Sequence, residues 1–377
     1  MIPIALPLLA DEEAGAARAA VLSGWVSQGP QVAAFEQEFA TLVGAPFACA
    51  VSNCTTALQL ALAALDIGPG DEVITPSHSF IATANSVRFQ GATPVFVDID
   101  PSTYNIDPAR LVEAITPRTR AIIAVHQMGM PCDLAALTAI TDRYGIVLIE
   151  DAACAAGSKI LMNARWESIG KPHGRIACFS FHPRKVITTG EGGMLTTADP
   201  ELDRRFRLLR QHGMSVPDTV RHGSAQVIFE DYLIVGYNYR MTDIQAAIGR
   251  KQLERLPDLV ARRRAIAARY TELLSNFEGL RVPEEPEWAR SNWQSYCVRL
   301  PDYLDQRTVM QGLLDEGIAT RRGIMCSHRE PAYANGKRHH DLRQSEIAQD
   351  RSILLPIYAQ MSQDDVNRVV DALLQHI

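Results

Sequence analysis

Apolar positions along the chain follow two rhythms that take turns. Short runs rich in β-branched and small apolar residues at 47–51, 72–75, 94–97, 121–125, 147–150, 176–181 and 194–197 read as strands. Between them, residues 55–65, 81–90, 109–115 and 134–144 space apolar side chains three and four apart, which lines one face of a helix. Near-continuous apolar strands alternating with amphipathic helices predict a large, mainly parallel sheet with helices on both faces, the α/β class. Gly68-Pro69-Gly70-Asp71 interrupts the pattern as a turn just before the second strand.

Beyond Gly249 the rhythm changes. Residues 252–277 predict one long helix, and its Arg262-Arg263-Arg264 triplet reads as a solvated face. Residues 279–377 mix shorter strands and helices and predict a smaller C-terminal α/β domain, with a polar loop at 334–340. The expected division is an N-terminal arm and large domain over 1–250, then a connecting helix and small domain over 251–377.

Composition narrows the class. The 377 residues are 47% hydrophobic and 21% charged, enough apolar material for a large soluble core. The formal net charge of -6 sets the mean field against a phosphate backbone, so nucleic acid is not an expected partner. Residues 1–10 are apolar but lack the basic flank of a secretory signal, and the apolar stretch 57–65 is too short to span a bilayer. A cytoplasmic protein with no membrane association is expected. Seven dispersed cysteines without a CxxC pair read as reduced thiols, not as a disulfide framework or a metal site.

Four features fall at strand ends, where open α/β sheets gather ligands. Ser52-Asn53-Cys54-Thr55-Thr56 sits between a strand and a helix; it is either a plain N-cap or a cup whose backbone N–H groups and Thr55 hydroxyl meet a phosphate. Phe80 follows the second strand and is either core or a stacking platform for a flat ring. Glu150-Asp151 ends a buried strand, where a carboxylate either caps the next turn or meets a cation. Lys185 follows Phe179-Ser180-Phe181-His182-Pro183-Arg184 and precedes Thr188-Thr189-Gly190-Glu191-Gly192-Gly193. A lysine in a loop is usually a surface residue, but one partly desolvated beside a cation, against glycines that admit a ligand, can attack an aldehyde. Together these are the fittings of bound pyridoxal 5′-phosphate (PLP, or PMP in its aminated form): an anchored phosphate, a stacked ring, a carboxylate at the pyridine nitrogen and a lysine on the aldehyde.

The segments GWVSQGPQVAAFEQEFA, VSNCTTALQLALAAL, IEDAAC, FSFHPRKVITTGEGGML and GYNYRMTDIQAAIG resemble the DegT/DnrJ/StrS sugar aminotransferases, a family of fold type I PLP enzymes. The resemblance implies that Lys185 forms the Schiff base, Asp151 partners the pyridine nitrogen and Phe80 stacks on the ring. Thr55, Ser180 and the backbone of Cys54 would hold the phosphate. Asn238 would reach it from a neighbouring subunit, which implies a homodimer with shared active sites. Gly29, Pro30, His328 and Tyr333 fall where relatives contact the sugar nucleotide. Cys154 would face the ring, where relatives carry His, Gln or Glu; a thiol is the poorer hydrogen-bonding group. Lys185 itself argues against the dehydratases of the family, which carry histidine there.

The implied reaction moves an amino group from L-glutamate to a nucleotide-linked keto sugar. The motifs around GEGGM and GYNYRMTDIQAAIG are most like those of enzymes that aminate 4-keto-6-deoxy hexoses, as in perosamine formation. Two alternatives stay open: transfer to a cyclitol or other non-nucleotide ketone, and a PLP-binding regulator without turnover, which the lack of a basic stripe disfavours. Arg88, Arg321, Arg322, Lys337 and Arg338 are unranked candidates for a diphosphate.

Overall fold

The computed structural model describes residues 1–216, 220–221, 224–334 and 341–377, and in it the seven predicted strands meet in one sheet. In chain order they are β1 (Phe47–Val51), β2 (Glu72–Pro76), β3 (Thr93–Val97), β4 (Thr119–Val125) and β5 (Val147–Asp151). After a separate hairpin of β6 (Lys159–Met162) and β7 (Arg165–Ser168), β8 (Ile176–Ser180) and β9 (Gly193–Thr197) complete it. The spatial order is β1-β9-β8-β5-β4-β2-β3, parallel from β3 to β8, with β9 antiparallel between β8 and β1. The fold is α/β, as the alternating rhythm predicts.

Strand period two divides the core into two layers. Ala48, Ala50, Ile74, Ile122, Ala124, Leu148, Ala177 and Phe179 join one buried cluster, while Cys49, Val51, Val73, Ala121, Ile123, Ile149, Ile176 and Cys178 join another on the opposite face. The first layer packs against α2 (Pro30–Val43), whose Phe35 and Phe39 interlock with Phe179 and Phe181 at centroid distances of 4.9–5.7 Å. The second packs against α3 (Cys54–Ala64), through Ala57, Leu58, Ala61 and Leu62. Both faces are dry, so an ionised side chain on a central strand must find its partners within the protein.

The long helix starts earlier than its apolar spacing indicates. It runs Asp243–Leu274, because Thr242 and Gln245 form a reciprocal capping box ahead of the apolar stripe. The basic triplet is also split. Arg262 is exposed and pairs with Asp258, but Arg263 is buried and donates to the carbonyls of Trp293 and Gln294. The 100° step per residue carries Arg263 onto the inward stripe with Ile266, Ala267 and Tyr270. That stripe joins a separate core cluster around a three-stranded antiparallel sheet of Tyr296–Arg299, Ser352–Leu355 and Arg321–Arg322.

The first turn of the long helix also organises the N-terminal arm. Asp243 is buried, and its carboxylate accepts the N–H groups of Gly29, Gln31 and Val32 at 2.8, 3.0 and 3.0 Å, capping α2 from outside. Gly29 is required for this approach, since a Cβ there would stand 2.7 Å from Asp243 Oδ2 and 2.8 Å from the Trp25 ring. Asp243→Ala strands three donors at a buried helix end, and chemical denaturation should read a loss of about 3 kcal/mol. Asp243→Asn, which keeps one acceptor, should lose less.

Candidate active site

Gly193 opens β9 where the carboxyl ends of β1 and β8 meet the start of α3. Its register partners are Val51 at the end of β1 and Ser180 at the end of β8. A Cβ on Gly193 would lie 2.5 Å from the carbonyl carbon of Asn53 and 2.9 Å from the amide nitrogen of Cys54. The missing side chain is therefore what lets the start of α3 lie against β9, beside Ser180. Asn53 caps the helix by accepting the Thr56 N–H at 2.9 Å. Among the described residues no protein acceptor meets the N–H of Cys54 or Thr55. Two backbone donors at a helix start, with the half-buried Thr55 and Ser180 nearby, form an anion cup.

Asp151 ends β5 on the α3 side of the sheet and is 5% exposed. Its Oδ2 accepts the Thr83 hydroxyl at 2.8 Å, and its Oδ1 accepts the Ala153 N–H at 3.2 Å. Ser79 Oγ lies 2.8 Å from Thr83 Oγ1 and extends the chain of hydroxyls. Burial pushes the Asp151 carboxyl above the usual carboxylate range, and the hydrogen bonds from Thr83 and Ala153 and the nearby Lys185 offset only part of that. Thr83 and Ser79 escape sequence reading because a buried hydroxyl on a helix, or in the loop just before it, looks like an ordinary core polar residue. Their role depends on β2 lying two strands from β5.

Lys185 is held by a closed loop between β8 and β9. Phe181 N–H donates to Gly192, Thr189 N–H to Phe181 and Lys185 N–H to His182, at 2.8–3.0 Å, while Gly190 turns the chain with φ +80°. Lys185 Nζ points inward and donates to Cys154 Sγ at 3.2 Å. Burial works against its ammonium, but Cys154, Cys54 and Asp151 outweigh burial and hold its pKa above the ordinary lysine value. The segment before the small sheet braces both sides of this contact. Asn292 Nδ2 donates to the carbonyls of Cys154 and Ala156, each at 2.8 Å, and Gln294 Nε2 donates to the carbonyl of Arg184 at 2.6 Å. No motif marks Asn292 or Gln294, so the sequence offered no signal for them.

The remaining expected site residues lie at the rim or in the frame. Phe80 is 67% exposed at the end of β2, free to cover a flat group. Asn238 is exposed and accepts from Arg240 at 3.3 Å. Gly29 is buried in the Asp243 cap while Pro30 is exposed beside it. His328 is buried, with Nδ1 2.6 Å from Ser77 Oγ and Nε2 3.0 Å from Glu346, so it fastens the small sheet's loop to the end of β2. Tyr333 is half-buried, donates to Asn85 at 2.8 Å and packs edge-on against Phe96. Arg88, Arg321 and Arg322 are exposed; Lys337 and Arg338 lie outside the described residues.

Asp151 is a buried carboxylate whose direct partners are one hydroxyl and one backbone N–H, with no salt-bridged side chain among the described residues. A protonated pyridine nitrogen answers that carboxylate in charge, the α3 cup fits a phosphate, and Lys185 fits the aldehyde. All seven cysteines are free, six of them buried, and Cys154 is the half-buried one that faces the lysine. No helix among the described residues is long and apolar enough to cross a membrane.

Comparison with known proteins agrees with this geometry. Residues 7–374 match the DegT/DnrJ/EryC1/StrS aminotransferase family. The spore coat polysaccharide biosynthesis protein SpsC of Bacillus subtilis (strain 168) is 40% identical, covering 98% of this chain and 96% of its own. The aminotransferase TlmJ of Streptoalloteichus hindustanus superimposes with a TM-score of 0.90 at 35% identity, covering 99% and 98%. Spr1654 of Streptococcus pneumoniae, assigned as a sugar aminotransferase and solved in PMP and PLP forms, superimposes in its PMP form with a TM-score of 0.92 at 28% identity, covering 99% and 98%. The chain is therefore a PLP-dependent member of the DegT/DnrJ/EryC1/StrS aminotransferase family.

Proposed function

We propose that the protein transfers an amino group from L-glutamate to a nucleotide-linked keto sugar, a 4-keto-6-deoxy hexose being the favoured acceptor. The observation that carries the reading is the buried, cation-seeking Asp151 with the inward-pointing Lys185 at the same sheet edge. Membership of a sugar aminotransferase family, with a relative named for polysaccharide biosynthesis, supports a sugar acceptor.

PLP, when bound, supplies an electron sink for the carbanion left at the donor's Cα. In this reading Thr55, Ser180 and the N–H of Cys54 bind the phosphate, Phe80 covers the ring and Asp151 keeps the ring nitrogen protonated. Thr83 orients the Asp151 carboxylate. Lys185 Nζ holds and moves the proton between donor and cofactor carbons as general base and then acid. Cys154 touches Nζ and restricts where the amine can swing. Gly29, Pro30, His328 and Tyr333 are assigned to the rim that receives the sugar nucleotide, His328 and Gly29 by shaping it through their frame contacts.

The segment before Asn238 supports a second copy as partner. Val227, Phe229 and Val235 are 84%, 90% and 94% exposed. Apolar side chains clustered so openly in one short segment mark an interface. Burying them against a second chain would carry Asn238 of each copy toward the other's phosphate cup.

Three outcomes test these assignments. Lys185→Ala should abolish turnover and the visible absorbance of the reconstituted protein; full activity in this variant would exclude the role. Replacing Phe229 and Val235 together by Asp should turn a dimer into a monomer in sedimentation velocity and lower phosphate-dependent cofactor affinity by at least tenfold, roughly the effect of losing one charge-assisted contact. Asp151→Asn should stabilise the cofactor-free protein at neutral pH while abolishing transfer. The sign follows from the raised pKa. Ionised Asp151 destabilises the fold above that raised value, so the gain is full there, declines as pH falls through it and vanishes below the ordinary carboxylate pKa of about 3.9. A single-turnover reaction of the PMP form with UDP-, dTDP- and GDP-linked keto sugars and scyllo-inosose, read by mass spectrometry, identifies the acceptor; amination of the cyclitol alone would overturn the nucleotide-sugar assignment.

A further inference from the structure

Directly behind Asp151 lies a second buried carboxylate that the transfer reaction leaves unused. Glu150 occupies the preceding position of β5 and therefore points to the opposite face of the sheet. It is 0% exposed. Its Oε1 accepts the Gly174 N–H at 2.8 Å, and its Oε2 lies 3.0 Å from Nε2 of His126, also 0% exposed. Gly174 is needed there, because a Cβ would stand 2.7 Å from the Leu148 carbonyl oxygen.

The protonation of this pair is set by its neighbours. The Cys132 N–H points at His126 Nδ1 at 3.0 Å, so Nδ1 must present a lone pair. The ring proton then sits on Nε2 and is donated to Glu150, which accepts from two neutral donors and keeps its full negative charge. A doubly protonated His126 would place two donors face to face at Cys132. The His126 backbone N–H in turn donates to the Asp151 carbonyl at 3.0 Å, tying the ring's own residue to the strand end.

We propose that Glu150, held ionised by neutral His126, is a positioning residue that supplies a second buried negative charge behind Asp151 and so helps keep the cofactor's ring nitrogen protonated. The inference rests on the assignment of Asp151 to that nitrogen. The charged and titratable groups around the two carboxylates are Lys185, Cys54, Cys154 and Cys178 toward Asp151, and His126 and Cys132 toward Glu150. Burial, and then both carboxylates, push the thiols of Cys132 and Cys178 well above the ordinary cysteine value. Lys185, the one cation among these groups, contacts Cys154 and leaves the Glu150 side of the sheet without a compensating charge.

The test uses holoenzyme reconstituted with cofactor labelled with 15N at the ring nitrogen, whose resonance reports its protonation directly. Glu150→Gln removes the charge with little change in shape, and the ring nitrogen should lose its proton at a pH lower by about one unit than in the parent. An unshifted midpoint, or a ring nitrogen protonated to the same upper pH as the parent, overturns the proposal. Asp151→Asn separates the two readings: a ring nitrogen unaffected by that change would sink the Asp151 assignment itself, whereas a response to Asp151→Asn but not to Glu150→Gln sinks only the role of Glu150. Should Glu150→Gln fail to fold, 15N spectra of the parent decide, with one protonated and one bare nitrogen on His126 expected from its contacts with Cys132 and Glu150. An imidazolium there would neutralise the pair and overturn the inference.

Discussion

A carboxylate at the end of a dry central strand is the constraint around which this protein is arranged. Asp151 has parallel strands on both sides and helices over both faces, so water cannot solvate it, and its carboxyl rises above the ordinary range. Thr83 and Ala153 satisfy two of its lone pairs but neither brings charge. The electrostatic demand left over is one that a cationic ring would meet, which is the basis of the proposed assignment of Asp151.

Placement of the other groups follows from backbone contacts more than from the side chains themselves. Gly193 brings the α3 cup, Ser180 and the Lys185 loop to one point because it has no Cβ to hold them apart. Gly249 does the same a layer further out: a Cβ on it would stand 2.8 Å from the Phe35 ring and 2.9 Å from Thr189, so its absence lets the long helix press α2 and the loop beyond Lys185 together. Bulk at either position would separate groups whose chemistry needs them within hydrogen-bond reach.

The C-terminal region acts on the site by bracing it. Asn292 and Gln294 hold the carbonyls of Cys154 and Arg184, and buried Arg263 holds the turn that carries them, in which Trp293 adopts a φ of +52°. His328 ties the rim to Ser77, three residues before Phe80. The surroundings of Lys185 and the loop carrying His328 are thereby fastened to one framework, and a change in the small sheet's packing reaches the lysine through two hydrogen bonds. Cys154 fits the same picture: in place of a stronger hydrogen-bonding side chain it sets a soft, compact contact against Nζ.

By itself the sequence determined the α/β class, since period-two and three-to-four spacing are local properties of the chain, and strand ends at Val51, Asp151 and Ser180 fall within a residue of where apolar runs stop. It determined Lys185, Asp151 and Thr55 as candidates because each adjoins a recognisable strand end. It did not disclose the early start of the long helix, where a capping box outranks apolar spacing, nor the burial of Arg263, which depends on which stripe faces inward. Thr83, Asn292, Gln294 and the His126–Glu150 pair were decided only by tertiary structure. Their partners lie 24 to 138 residues away, and hydrogen-bond direction, like the loss of water that gives such contacts their strength, exists only once the sheet has brought them together.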